Sequence, residues 1–207
     1  MKVSTALLAA ASAVSASPIV NETWHAFDAR AADATSVIIP RNGYADIAVS
    51  THNTHRQKHS APPMSWNAGL AGYAGAVASS CVFAHNLGPG GGGYGQNLAV
   101  SGSSADITNA DPNTFLTQAV TSMWYDGELP LYPGYGQPTP DMSNFSKWGH
   151  FSQLVWVAST EVGCATHYCP AGTIFPALNS WYTVCDYKAA GNVASQYGKN
   201  VLPPQGM

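Results

Sequence analysis

Four cysteines, Cys81, Cys164, Cys169 and Cys185, constrain the fold of this chain more tightly than any other feature of its 207 residues. They follow a leader, MKVSTALLAAASAVSAS, with one lysine, a short apolar run and a small-residue site. That pattern reads as a signal peptide cleaved after Ala16, and its apolar run is too short to span a bilayer. No second apolar run of spanning length occurs. The sequence therefore predicts a secreted, extracellular chain with no transmembrane segment. In an oxidising compartment an even cysteine count implies disulfides, here two. Four cysteines allow three pairings, and spacing alone does not choose among them. Zinc is the rival explanation, but no Cys-x-x-Cys pair is present.

A chain of this length suits one domain with a full core. Hydrophobic residues make up 45%, whereas charged residues are only 9% and the formal net charge is −3. Ser, Thr, Asn, Gly and Tyr carry the polarity instead. Without a Lys/Arg run there is no electrostatic footing for nucleic acid. The expected organisation is a signal peptide at 1–16, a propeptide or flexible segment at 17–44, a domain at 45–200 and a tail at 201–207. Two N-glycosylation sequons stand at Asn21 and Asn144.

From Ala45 a helix is expected, stopped by Ala61-Pro62-Pro63-Met64. Asn67 can cap a second helix running to Phe83, with Leu70, Tyr73, Ala74, Val77, Ala78 and Cys81 as one apolar stripe. The loop LGPGGGGYGQNLAV contains Gly88, Gly90 and Gly93 at G-x-G-x-x-G spacing. It has a helix before it and a strand-like segment after it, the reverse of a dinucleotide site. Asp111-Pro112 opens a third helix, with Phe115, Ala119, Val120 and Met123 or Trp124 on its apolar face. A long Pro/Gly/Tyr loop then leads to a short helix at HFSQLVW and two strands, EVGCATHY and SWYTVCDY. Helices followed by antiparallel strands indicate an α+β domain.

Few residues here can carry chemistry. His55 and His59 are four apart, but Arg56 stands where a zincin requires glutamate. No G-x-S-x-G elbow occurs, and disulfides leave no free thiol nucleophile. His85 and His150 remain. A neutral imidazole at a helix start, as at His150, is a good metal ligand.

Four stretches together are distinctive. GHFSQLVW (Gly149 to Trp156) resembles the first signature of the CAP superfamily of cysteine-rich secretory proteins, insect antigen five and plant pathogenesis-related class 1 proteins. HNTHR (His52 to Arg56) resembles that family's H-N-x-x-R motif, GQNL (Gly95 to Leu98) its G-E/Q-N motif, and YTVCDYKAAGN (Tyr182 to Asn192) its second signature. The low charge, MWYDGE and the loop before GHF look most like secreted fungal members.

The resemblance implies a three-layer α-β-α sandwich around an antiparallel sheet, with disulfides Cys81–Cys169 and Cys164–Cys185. It also implies a cleft with two histidines and two acidic residues, matched by His85 and His150. One family glutamate falls on Gln96, beside Asn97, so one acid is missing. The other belongs to a W-x-x-E pattern. Here Glu128 lies one position late and Asp126 one early, and Glu128 is the choice. The expected metal set is His85, His150 and Glu128, holding a divalent cation such as zinc or magnesium weakly. His52 and Arg56 are expected to be structural. Asp186 and Thr183 depart from the second signature, and the sheet is expected to tolerate both.

Fungal members are associated with sterol and fatty-acid binding through an aromatic loop before GHF. The resemblance thus implies a lipid-binding set of Tyr132, Tyr135, Met142, Phe145 and Trp148, in a non-enzymatic, monomeric protein with a virulence or defence role. A metal-dependent hydrolase and an extracellular interaction module with a host or cell-wall partner are the alternatives.

Overall fold

The computed structural model describes residues 43–206. The leader, Asn21, His25 and nearly all of the 17–44 segment lie outside these residues. Helix α1 spans Tyr44–Lys58, one residue earlier than expected. A two-residue strand β1 (Ser65–Trp66) leads into α2 (Ala68–Ala78), whose first turn is capped by Asn67 accepting from the Leu70 N–H. Strand β2 spans Gly95–Ser103. Helix α3 (Pro112–Thr117) is capped by Asp111 and continues as a π-helix over Gln118–Asp126. Short 3-10 turns at Leu129–Leu131 and Met142–Lys147 bracket the long loop. Helix α4 (Gly149–Leu154), strands β3 (Glu161–Cys169) and β4 (Asn179–Lys188), and a last turn α5 (Tyr197–Asn200) complete the order.

The sheet order is β1-β3-β4-β2. β3, β4 and β2 are antiparallel as expected, and β1 adds a short parallel edge on β3. Because side chains alternate along a strand, β4 serves two layers. Tyr182 and Val184 pack with Leu98 against Ala74, Val77 and Ala78 of α2. Cys185 and Tyr187 face the other way, into the larger core with Ala48, Leu116, Val120, Trp124, Phe151 and Leu154. The result is the α-β-α sandwich. Gly163 of β3 lets the start of α2 sit against the sheet, since a Cβ there would run into the α2 backbone.

Helix α2 is shorter than expected. It ends at Ala78, because Cys81 adopts φ 51° and leaves the helix to bond Cys169. Tyr73 is not a core residue but stacks on Tyr94 at 5.7 Å. The second disulfide joins Cys164 and Cys185, direct partners across β3 and β4. Residues 201–205 are no free tail. Val201 is fully buried, Leu202 carbonyl accepts from His59 Nδ1 (2.7 Å), and Gln205 N–H donates to Lys58 carbonyl (2.7 Å).

Candidate functional site

The motif residues converge on one buried junction. His52 Nδ1 lies 2.7 Å from the Ala48 carbonyl, which can only accept, so that nitrogen carries the proton. His52 Nε2 then accepts from the Tyr187 hydroxyl at 2.9 Å, and Tyr187 in turn accepts from Asn97 Nδ2 at 3.2 Å. Asn97 Nδ2 also donates to the His150 carbonyl at 3.0 Å. All four motif stretches thus meet around Tyr187, and the junction places β2 and α4 side by side. Arg56 fastens the same region. Fully buried, it donates to the carbonyls of Pro62, Leu154, Trp156 and Ser159 at 2.8–2.9 Å, which caps the end of α4. His52 and Arg56 are structural, as expected.

Above this junction opens a cleft of about 250 Å³, lined by His85, Gln96, Asn97, Phe145, Ser146, Gly149, His150 and Asn192. His150 starts α4. Its Nδ1 lies 2.6 Å from Glu128 Oε1, while Glu128 Oε2 accepts the backbone N–H groups of His150 and Phe151 at 2.9 Å each. Those two bonds mark the carboxylate as acceptor, so Nδ1 donates; in the neutral ring this tautomer leaves the electron pair on Nε2. Trp124 stacks on the same ring with centroids 6.1 Å apart.

His85 is held in the same way by a neutral group. It sits on the exposed loop after α2, four residues beyond the Cys81–Cys169 bridge. Its Nδ1 lies 3.1 Å from Gln96 Oε1. The orientation of the Gln96 amide is set by the Asn86 backbone: Asn86 N–H donates to Oε1 (3.1 Å), and Nε2 donates to the Asn86 carbonyl (3.2 Å). His85 Nδ1 must therefore donate, and its Nε2 is again the free atom. Metal-binding histidines characteristically donate their second ring N–H to an oxygen in this way. Both histidines line the same cleft, and two imidazole nitrogens are a donor type that suits a divalent cation.

Glu128 is not in the lining of the cleft. It stands on the Nδ1 side of His150, where it orients the ring. Among the described residues, the one trio of His, Cys, Asp or Glu ligand atoms within 4.8 Å of one another is His52, Cys164 and Cys185. Both sulfurs there are bonded to each other and both His52 nitrogens are engaged, so that trio does not fit a metal.

The π-helix accounts for the position of Glu128. Gly127 N–H bonds Ser122 carbonyl at 3.1 Å, an i to i−5 pairing that accommodates one residue more per turn than an α-helix. The extra residue between Trp124 and Glu128 is absorbed there, and Glu128 still reaches His150 while Asp126 is exposed. Glycine is required at 127, since a Cβ would lie 2.8 Å from Met123 carbonyl.

The expected lipid-binding loop is largely packed. Trp148 is fully buried and Tyr132 is 9% exposed, and both belong to the main core with Tyr135 against it. They form a cluster of edge-to-face and tilted aromatic pairs with Phe151 and Tyr197. Met142 (40%) and Phe145 (37%) remain exposed, and only Phe145 lines the cleft. Asn144 of the second sequon is exposed beside it. Sequence reasoning missed Ser146, Asn192 and Asp186. Asn192 closes the second signature and holds α4 through Gly149 carbonyl (2.8 Å) and Ser152 (2.5 Å). Asp186 Oδ1 accepts from Gln96 Nε2 at 2.9 Å, and burial, partly opposed by this bond, pushes its carboxyl up to about 7.

Residues 49–187 match the cysteine-rich secretory protein family, CAP. The chain is a CAP protein. Its CAP domain is 39% identical over 165 residues to a probable pathogenesis-related protein of Arthroderma benhamiae, covering 79% of this chain and 50% of that one. It is 32% identical over 172 residues to fruiting body protein SC7 of Schizophyllum commune, covering 79% and 74% of the two chains. It is also 32% identical to protein PRY2 of Saccharomyces cerevisiae, over 77% of this chain and 41% of that one. The chain thus spans about half the length of the first of these relatives. In fold, the CAP domain is similar to the crystal structure of NaASP2 with Zn2+ (TM-score 0.59, 24% identity, 80% and 90% covered). It is also similar to BmVAL-1 (TM-score 0.61, 22% identity, 81% and 85% covered).

Proposed function

We propose that this CAP protein is a secreted, non-enzymatic binding module. Its cleft takes a divalent cation between His85 and His150, and the cleft rim contributes apolar contacts to a small lipid. The observation that carries the reading is the matched pair of histidines, each with Nδ1 committed to a side-chain oxygen and Nε2 left free. Zinc suits two imidazole nitrogens with water completing the shell. The site has no carboxylate in its lining, so weak binding is expected, and magnesium, which prefers oxygen, suits it less.

The non-enzymatic reading rests on the same residues. Glu128 uses both oxygens on His150 and the α4 backbone, Gln96 cannot accept a proton, and Asp186 is buried behind Gln96. Among the described residues, no carboxylate lining the cleft is placed as a general base. A hydrolase is disfavoured on that ground.

For the lipid, the site narrows to Met142 and Phe145. A cleft of about 250 Å³ is smaller than the roughly 300–1,000 Å³ of sites that engulf drug-sized ligands. A sterol or fatty acid therefore lies along the rim, with the ring of Phe145 as its platform. The test is titration of the mature protein with labelled sterol or fatty acid and, separately, with zinc against a chromophoric chelator. Zinc binding lost in His85→Ala and His150→Ala, and lipid binding lost in Met142→Ala/Phe145→Ala, are the expected results. Saturable lipid binding unchanged by the rim substitutions would overturn the rim assignment.

A further inference from the structure

The amide at position 96 and the acid at position 186 belong together. Gln96 and Asp186 are direct partners across β2 and β4. The Gln96 amide makes four bonds: it accepts from His85 Nδ1 and Asn86 N–H, and donates to the Asn86 carbonyl and to Asp186 Oδ1. A glutamate at 96 would keep the first two. It would also place an acceptor oxygen against the Asn86 carbonyl and against the Asp186 carboxyl, which could bond to it only by taking up a proton and losing its charge. With Asp186 ionised, the amide satisfies both oxygens where a glutamate would not.

Asp186 is itself unusual. It is fully buried, and its Oδ2 has no hydrogen-bond partner. A carboxylate in that state is costly unless it is paired or hydrogen-bonded, and Asp186 has one side-chain bond to meet that need. That bond leads, through a single amide, to His85, a histidine that lines the cleft. The two histidines are then backed alike: His150 by Glu128 directly, and His85 by Asp186 through Gln96.

We propose that Asp186 is a positioning residue of the cleft, carrying from the neighbouring strand the carboxylate charge that position 96 lacks and acting on His85 through the Gln96 amide in favour of a bound divalent cation. The charge has moved one strand over, and the amide transmits it. The cation part of this inference rests on the reading of the cleft given above.

The test is an exchange cycle of Asp186→Asn, Gln96→Glu and the double variant at pH 8. The Asp186→Asn substitution keeps an acceptor for Gln96 and the side-chain shape, so the fold should hold, as circular dichroism will verify. In metal-free protein, Gln96→Glu alone should destabilise, because it sets two carboxylates together. In the Asp186→Asn background the amide and acid are exchanged, the repulsion between carboxylates is gone, and only the lost bond to the Asn86 carbonyl remains, so the penalty should shrink. The unfolding constant of the double variant should differ at least tenfold from the product of the single effects. Zinc affinity, measured by chelator competition, should fall tenfold or more in Asp186→Asn, as is common when a partner behind a ligand histidine is removed. It should return to within threefold of the parent in the double variant, a rescue that a purely structural role would not produce.

Zinc affinity within twofold of the parent in Asp186→Asn overturns the proposal, as does an additive cycle. If the parent binds no zinc, the cation reading of the cleft fails on its own. The metal-free cycle then decides the charge exchange alone, coupling supporting it and additivity overturning it.

Discussion

At the residue scale, the motif residues act as fasteners for backbone. Arg56 is the extreme case: a fully buried guanidinium whose hydrogen bonds all go to carbonyls. Replacing it with methionine keeps much of the volume but leaves several buried carbonyls without a donor. Each unsatisfied group costs on the order of 1–3 kcal/mol. Arg56→Met should therefore lower stability by at least about 3 kcal/mol in urea unfolding. Lysine should rescue little, since an ammonium cannot span four carbonyls from one planar fork. Asp186 runs the other way. Its folded-state carboxyl titrates near 7 against an ordinary 3.8, so its charge is carried at a cost to stability. Asp186→Asn should stabilise the metal-free protein at pH 8 by roughly 2 kcal/mol, about half of what the full shift implies at about 1.4 kcal/mol per unit. The gain should shrink as the pH approaches 4. Thermal melts at the two pH values check this. A gain that is the same at both would mean that charge is not the cause.

At the element scale, the legibility of the sequence varies with what each element buries. Helix α2 is readable because Leu70, Ala74, Val77 and Ala78 form an apolar stripe, and because Asn67 is a strong cap. Helix α1 buries Ala48, His52, His55 and Arg56, a polar face, so periodicity says little and the H-N-x-x-R resemblance identifies it. The end of α2 is hard to read because Ser79, Ser80 and Cys81 carry no breaker. The bond from Cys81 to Cys169, a tertiary fact, ends the helix. The π-helix is hidden for a similar reason. A one-residue excess between Trp124 and Glu128 is visible in the sequence, but whether a helix widens or a loop absorbs it depends on what Glu128 must reach. In the cleft, both histidines are legible from resemblance. The metal role expected of Glu128 is not supported by its place behind His150. Asp186, expected to be a tolerated departure, is instead bonded to Gln96. Gly127→Ala should disturb the π-helix, since its Cβ would press on Met123 carbonyl. Overpacking of this kind typically costs about 1–3 kcal/mol. A lowered melting temperature together with weaker zinc binding is expected. A lowered melting temperature with unchanged zinc binding would separate the helix from the site.

At the scale of the whole molecule, burial of neutral histidines sets the response to acid. Burial holds His52 and His55 down at about 4, and His59 is also lowered by burial. The unfolded chain binds protons at these groups near 6.5, whereas the folded chain does not until well below. The stability these histidines contribute is therefore full above about 6.5 and falls as the pH drops toward 4, a slope that follows from the extra protons bound by the unfolded state. Asp186 opposes this between 3.8 and 7, because its folded form binds the proton more tightly, but one group is outweighed by three. Chemical unfolding at pH 5 and pH 7 should show the protein less stable at the lower value. The disulfides can be ranked by the lengths of chain they close, 88 residues for Cys81–Cys169 and 21 for Cys164–Cys185. By loop entropy the first should contribute about 4–5 kcal/mol and the second about 3. Paired Cys→Ser variants compared by urea unfolding test the order.

The Cys81–Cys169 bridge has a further consequence. It closes a covalent ring, and His85, Gln96, Asn97, Glu128, Phe145 and His150 all lie on that ring. A single proteolytic cut in the exposed 133–147 loop would open the ring without releasing either end. The cleft would keep its histidines on one covalent piece, and the cut would be visible only after reduction. The bridge thus makes a nick at the rim of the cleft survivable.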